Sequence, residues 1–127
     1  MSIAVRQGLG KQRIRSRRVE AKLAVTVRTE FLTDLAWAVD LSPDGMFVAT
    51  PEPYEADQAV EIDCVLDGAR ILLKSRIARV DRNAGIALEF IGLGRPQRLA
   101  LVAFVSRRLA EEEALKCLDA TYDHALV

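Results

Sequence analysis

From Val19 onward the chain alternates apolar and polar residues with a period of two, in short runs separated by turn signals. Successive side chains of a strand point to opposite faces, so such a run buries one face and wets the other. Val19, Ala21, Leu23, Val25 and Val27 form the first inward set, alternating with Glu20, Lys22, Ala24, Thr26 and Arg28. A second strand is expected over 33–41. Leu35, Trp37, Val39 and Leu41 are expected on its core face, Trp37 as a core residue, with Asp34 and Asp40 on the other face. A short third strand, 46–50, is stopped by Pro51 and Pro53, which cannot donate to a ladder. Val60, Ile62, Cys64 and Leu66 mark a fourth. Asp67-Gly68 is the signal of a two-residue hairpin with positive φ at both positions. The fifth strand, 69–80, is long enough to require a bend or bulge, and Ile86, Leu88 and Phe90 point inward from a sixth.

Six short strands joined by hairpin loops argue for an antiparallel β-barrel, which closes the sheet and removes exposed edges. At 127 residues the chain is long enough for one core with appendages. After Gly92 and Gly94 the period changes, and Pro96 suits the first turn of a helix running to about Asp119. The expected fold is mainly β, a six-stranded barrel followed by a C-terminal helix and preceded by a flexible basic arm. The boundaries are residues 1–12 for the arm, 13–93 for the barrel domain with its arginines, and 94–127 for helix and tail. The stretch Leu99–Val105 is apolar on every face. One barrel end covers such a stretch only in part, so it either plugs the barrel or also packs on a second subunit as a homodimer.

Charge is balanced overall but not along the chain. Arg6, Lys11, Arg13, Arg15, Arg17 and Arg18 give residues 1–18 a charge of +6 with no acid, leaving −6 for the rest. A basic arm on an acidic body calls for an anionic partner. The longest apolar run is too short to span a bilayer, and residues 1–10 contain no apolar core of a secretory signal. Two cysteines, Cys64 and Cys117, suggest neither a disulfide framework nor a zinc site, and a cytoplasmic setting is expected. The single histidine, His124, has no companion base or nucleophile, and Asp40 and Asp44 have no partner pattern for metal or acid–base catalysis. No enzyme is expected.

Two segments carry the candidate chemistry. Asp40-Leu41-Ser42-Pro43-Asp44-Gly45 is a good type I turn. Asp40 and Ser42, two positions apart on an extended chain, could also offer acceptors to the N–H edge of a base. Ahead of the first strand, Arg13-Ile14-Arg15-Ser16-Arg17 has the spacing R-x-x-x-R, with Arg18 following. Guanidinium groups bind phosphate bidentately and also recognise or stack on guanine.

With these segments in this order the chain resembles the PilZ domain family, bacterial receptors for cyclic di-GMP. The resemblance covers about residues 13–93. It includes the strand run 18–25, the turn motif, and the segments Ser75-Arg76-Ile77-Ala78-Arg79-Val80 and Gly85-Ile86-Ala87-Leu88-Glu89-Phe90. It implies that Arg13 and Arg17, with Arg18 as helper, hold phosphates and guanine of cyclic di-GMP. It further implies that Asp40 and Ser42 hold guanine, and that Gly45 permits the turn and the approach of ligand. A register anchored on Arg18 would place Ile14 at the first arginine position. The implied function is a receptor that orders its arm on nucleotide binding and signals to an effector protein in trans. The alternatives are an adaptor of the same fold that binds no nucleotide, and non-specific nucleic-acid binding by the arm, which predicts steep salt dependence.

Overall fold

The computed structural model describes residues 17–126, with side chains described as far as residue 118. Six strands, β1 (Val19–Arg28), β2 (Thr33–Ser42), β3 (Gly45–Ala49), β4 (Ala59–Leu66), β5 (Ala69–Asp81) and β6 (Gly85–Phe90), precede one helix, α1 (Arg95–Leu126). They close into a barrel in the order β1-β2-β3-β6-β5-β4, every neighbouring pair antiparallel. Closure leaves no free sheet edge. Val27, Ala38, Leu41, Met46, Val48, Ile62, Leu73 and Ile77 fill the interior and are fully buried.

Register shifts fall between Glu20 and Leu23 in β1, between Ala38 and Asp40 in β2, and between Ile77 and Arg79 in β5. The last is the irregularity expected from the length of that strand. Bulges bend strands and increase twist, as a small closed barrel requires. Asp67 and Gly68 both have positive φ, 51° and 85°, the conformation expected of this dipeptide.

One strand faces the opposite way from expectation. Asp34, Ala36 and Ala38 point into the barrel, whereas Leu35 is 81% and Trp37 57% exposed, and Val39 is also exposed. The interior here takes alanine methyl groups, and the larger residues of the strand line the outside. The shift between Ala38 and Asp40 then reverses the alternation, so Leu41 is buried as expected. Asp34 is accommodated inside because Thr50 Oγ1 and Tyr54 Oη donate to its Oδ2 at 2.7 and 2.9 Å. Burial and the adjacent Asp34 carboxylate push the Tyr54 hydroxyl above its ordinary range.

Helix α1 begins at Arg95, with Pro96 in its first turn, and continues past Asp119 to Leu126. Leu101, Phe104 and Val105 enter the core, and the helix touches β1, β2, β4 and β5. Leu99 and Val102, on the other side, are exposed. The apolar stretch therefore plugs one barrel end with half of its surface. Both β2 and β4 pair antiparallel with β1, so they run the same way, and the hairpins that follow them lie at one end of the barrel. Arg107 of α1 pairs with Asp67 in the β4–β5 hairpin, which places the helix at that end.

Candidate functional site

The β2–β3 connection is two residues long, Pro43-Asp44, between the paired Ser42 and Gly45. Proline fixes φ near −65° and so excludes the positive-φ turns that match the twist of a hairpin. Other contacts hold this turn. Ser42, 2% exposed, accepts from the N–H groups of Asp44 (3.1 Å) and Gly45 (3.2 Å) through Oγ, and donates to the Gly45 carbonyl at 3.4 Å. The Asp44 carbonyl accepts from Phe90 N at 2.9 Å, tying the turn to β6. A Cβ at Gly45 would stand 2.0 Å from the Leu88 carbonyl oxygen. Glycine is thus required here by the close approach of β3 to β6.

Asp40 lies at the register shift of β2, cross-strand from Glu20 on one side and Phe47 on the other. Its Oδ1 accepts from Phe47 N at 3.1 Å and from the Arg18 guanidinium at 2.6 Å. Arg18 and Asp40 side chains are 43% and 31% exposed, so the pair sits at the surface. Arg17 is exposed, with no hydrogen bond or ion pair seen among the described residues. Arg13 and Arg15 lie outside the described residues.

Arg18, Asp40, Ser42 and Gly45 are therefore brought together, although in different environments. Asp40 and Arg18 are open to solvent, while Ser42 and Gly45 are buried in the turn beneath them. Beside this cluster is a hollow of about 570 Å³ lined by Glu20, Ala21, Lys22, Val39 and Arg108. Lys22 and Arg108 were not legible as site neighbours, because a barrel's alternation does not reveal which part of a later helix returns to it. A larger hollow, about 790 Å³, lies at the opposite barrel end between 49–54 and 80–85, far from these residues.

Elsewhere four arginines, Arg28, Arg70, Arg76 and Arg107, are matched to acids. Arg70 and Arg28 both bond Asp63, and the Arg70 bond foremost holds that carboxyl below its usual range. Arg76 bridges Glu89 and Asp57. Cys64 is buried in the core, and burial pushes its thiol up to about 12. Among the described residues no group of His, Cys, Asp and Glu could hold a metal ion, and no helix is long and apolar enough to cross a membrane.

A closed six-stranded barrel plugged by a helix, with Arg18 set beside an Asp-x-Ser-x-x-Gly hairpin, defines the fold class of this domain. The chain belongs to the PilZ domain family, whose model matches residues 12–107. No curated protein sequence matches it. Among solved structures it is similar to the PilZ domain of CeSA from a cellulose-synthesizing bacterium, with 26% identity and a TM-score of 0.60. That match covers 71% of this chain and 95% of the other. It is also similar in fold to the Bacillus subtilis inhibitor of motility MotI/DgrA, with 18% identity and a TM-score of 0.68, over 79% of this chain and 52% of that one. PilZ domains are receptor and effector modules without catalytic activity.

Proposed function

We propose that this PilZ-type domain is a cyclic di-GMP receptor that reads the nucleotide with Arg13, Arg17 and Arg18 above the Asp40–Gly45 hairpin. The observation that carries this reading is the Arg18–Asp40 contact at 2.6 Å. It sets the end of the arginine segment directly over the hairpin that bears the second motif. Asp40 orients Arg18 and offers its remaining carboxylate oxygen to guanine N–H donors. Arg17 has its donors available for phosphate, which a guanidinium grips in a bidentate fork. Ser42 and Gly45 serve from below, by fixing the turn.

Residues 1–18 carry six like charges and no acid, so an anionic nucleotide offsets part of that charge and draws the segment onto the barrel. The surface so created is what an effector protein reads in trans, a population shift set by differential affinity. Isothermal titration with cyclic di-GMP tests the reading and also yields the stoichiometry. Arg17→Ala is expected to weaken binding by about 2 kcal/mol, the scale of a charge-assisted hydrogen bond. No heat at tens of micromolar nucleotide, with the protein folded, would remove the proposal.

A second reading, an adaptor of the same fold acting through protein contacts alone, is favoured by one observation. Phe31, Leu35 and Trp37 form an exposed apolar row on and beside β2. It predicts partner binding that is indifferent to cyclic di-GMP. In either reading the exposed Leu99 and Val102 of α1 are the residues through which a homodimer would pack, and sedimentation that finds only monomer at micromolar concentration removes that pairing.

A further inference from the structure

Two consecutive arginines of α1 flank the same aromatic ring, with opposite fates. The guanidinium carbons of Arg107 and Arg108 lie 5.5 and 5.4 Å from the centroid of Phe104. Arg107 has its donors on Asp67 and Glu111. Arg108 does not: its Nε is shielded from solvent and has no hydrogen-bond partner among the described residues. Leaving a buried donor unsatisfied is costly, and native structures contain few such groups. Contact with a ring face orients a guanidinium without consuming any of its five N–H donors.

The position of Arg108 gives those donors a use. It lines the hollow shared with Glu20, Ala21, Lys22 and Val39. Glu20 is the direct cross-strand partner of Asp40, and Val39 is its neighbour in β2. The hollow therefore continues from the Arg18–Asp40 pair toward the helix, with Lys22 and Arg108 as its cations and Glu20 as its acid.

We propose that Arg108 is a further contact of the nucleotide, closing the site from the helix side. Its two Nη groups would take two oxygens of a phosphodiester in the end-on bidentate mode that suits a planar guanidinium, the shielded Nε staying out of the ligand's reach. Cyclic di-GMP would then bridge barrel and helix, so that α1 as well as the arm responds to ligand. This inference rests on the receptor reading above and adds a residue that belongs to neither of its two motifs.

The test is titration of the full chain with cyclic di-GMP, for the wild type, Arg108→Gln and Arg107→Gln, with thermal unfolding measured in parallel. Arg108→Gln is expected to weaken binding about tenfold or more, as for a lost charge-assisted contact, with no fall in Tm. Arg107→Gln, which breaks two ion pairs outside the hollow, should leave affinity unchanged. Wild-type binding with equal affinity in Arg108→Gln, or an equal loss in Arg107→Gln, overturns the inference and leaves the receptor reading standing. No binding by the wild type overturns that reading and this inference with it. Should Arg108→Gln fail to fold, Arg108→Lys decides. Lysine keeps charge and stem but not the fork. A several-fold loss supports the contact, and unchanged affinity removes it.

Discussion

Two hairpins of equal length sit at the same end of the barrel, and they are built by different means. Asp67-Gly68 between β4 and β5 adopts positive φ at both residues, the turn whose twist suits a hairpin, and a Cβ at Gly68 would meet nothing within 4 Å. Its backbone alone makes the reversal. Pro43-Asp44 between β2 and β3 lacks positive φ, and its shape is imposed by the Ser42 hydroxyl, the Phe90 N–H and the closeness of Gly45 to Leu88. A generic reversal has no need of a buried hydroxyl. A turn that must hold Asp40 under an arginine does, because the side chain fixes what the backbone does not.

The two hairpins differ most in what their glycines and Ser42 tolerate. Gly45→Ala puts a Cβ against the Leu88 carbonyl, so β3 and β6 must separate. A loss of about 3 kcal/mol in urea unfolding is expected, at the upper end for overpacking. Ser42→Ala comes next. It leaves the Asp44 and Gly45 N–H groups without their side-chain acceptor and should destabilise by about 2 kcal/mol, and nucleotide affinity should fall with it. Gly68→Ala meets no steric obstacle and only strains a left-handed backbone, for about 1 kcal/mol and no change in affinity. If Ser42→Ala proved no more damaging than Gly68→Ala, the two hairpins would be equivalent and the Ser42 hydroxyl would not impose the turn.

The same contrast marks how far the fold and site were legible. Asp67-Gly68 announces its turn in two letters because local sterics decide it, and the alternation of β1, β4 and β6 announces their faces because the large residues point inward. In β2 the inward positions are Asp34, Ala36 and Ala38, so size misleads: Leu35, Trp37 and Val39 have the pattern of a core face and lie outside. Only the tertiary partners of Asp34, Thr50 and Tyr54, explain why an aspartate faces in, and those come from a later loop. At the site, the nearness of Arg18 to Asp40 follows from antiparallel pairing of β1 and β2, since the start of one strand meets the end of the other. The burial of Ser42 and the arrival of Arg108 depend on β6 and α1 packing, which no local spacing encodes.

The smallest effect on stability is also the sharpest on function. Asp40→Asn and Asp67→Asn make the same change in the two hairpins, each removing the carboxylate from an exposed pair with an arginine, Arg18 or Arg107. Exposed pairs contribute little, so each variant should lose less than about 1 kcal/mol. Asparagine tolerates the positive φ of position 67, and at position 40 its carbonyl can still accept from Phe47 N. Stability thus fails to separate the two variants, and titration with cyclic di-GMP separates them. Asp40→Asn releases Arg18 from its anchor and removes the acceptor for guanine, so affinity should fall about tenfold, the scale of one charge-assisted contact. Asp67→Asn should bind like the wild type. Equal affinities in the two variants would mean that the β2–β3 hairpin supports the barrel and does not read the ligand.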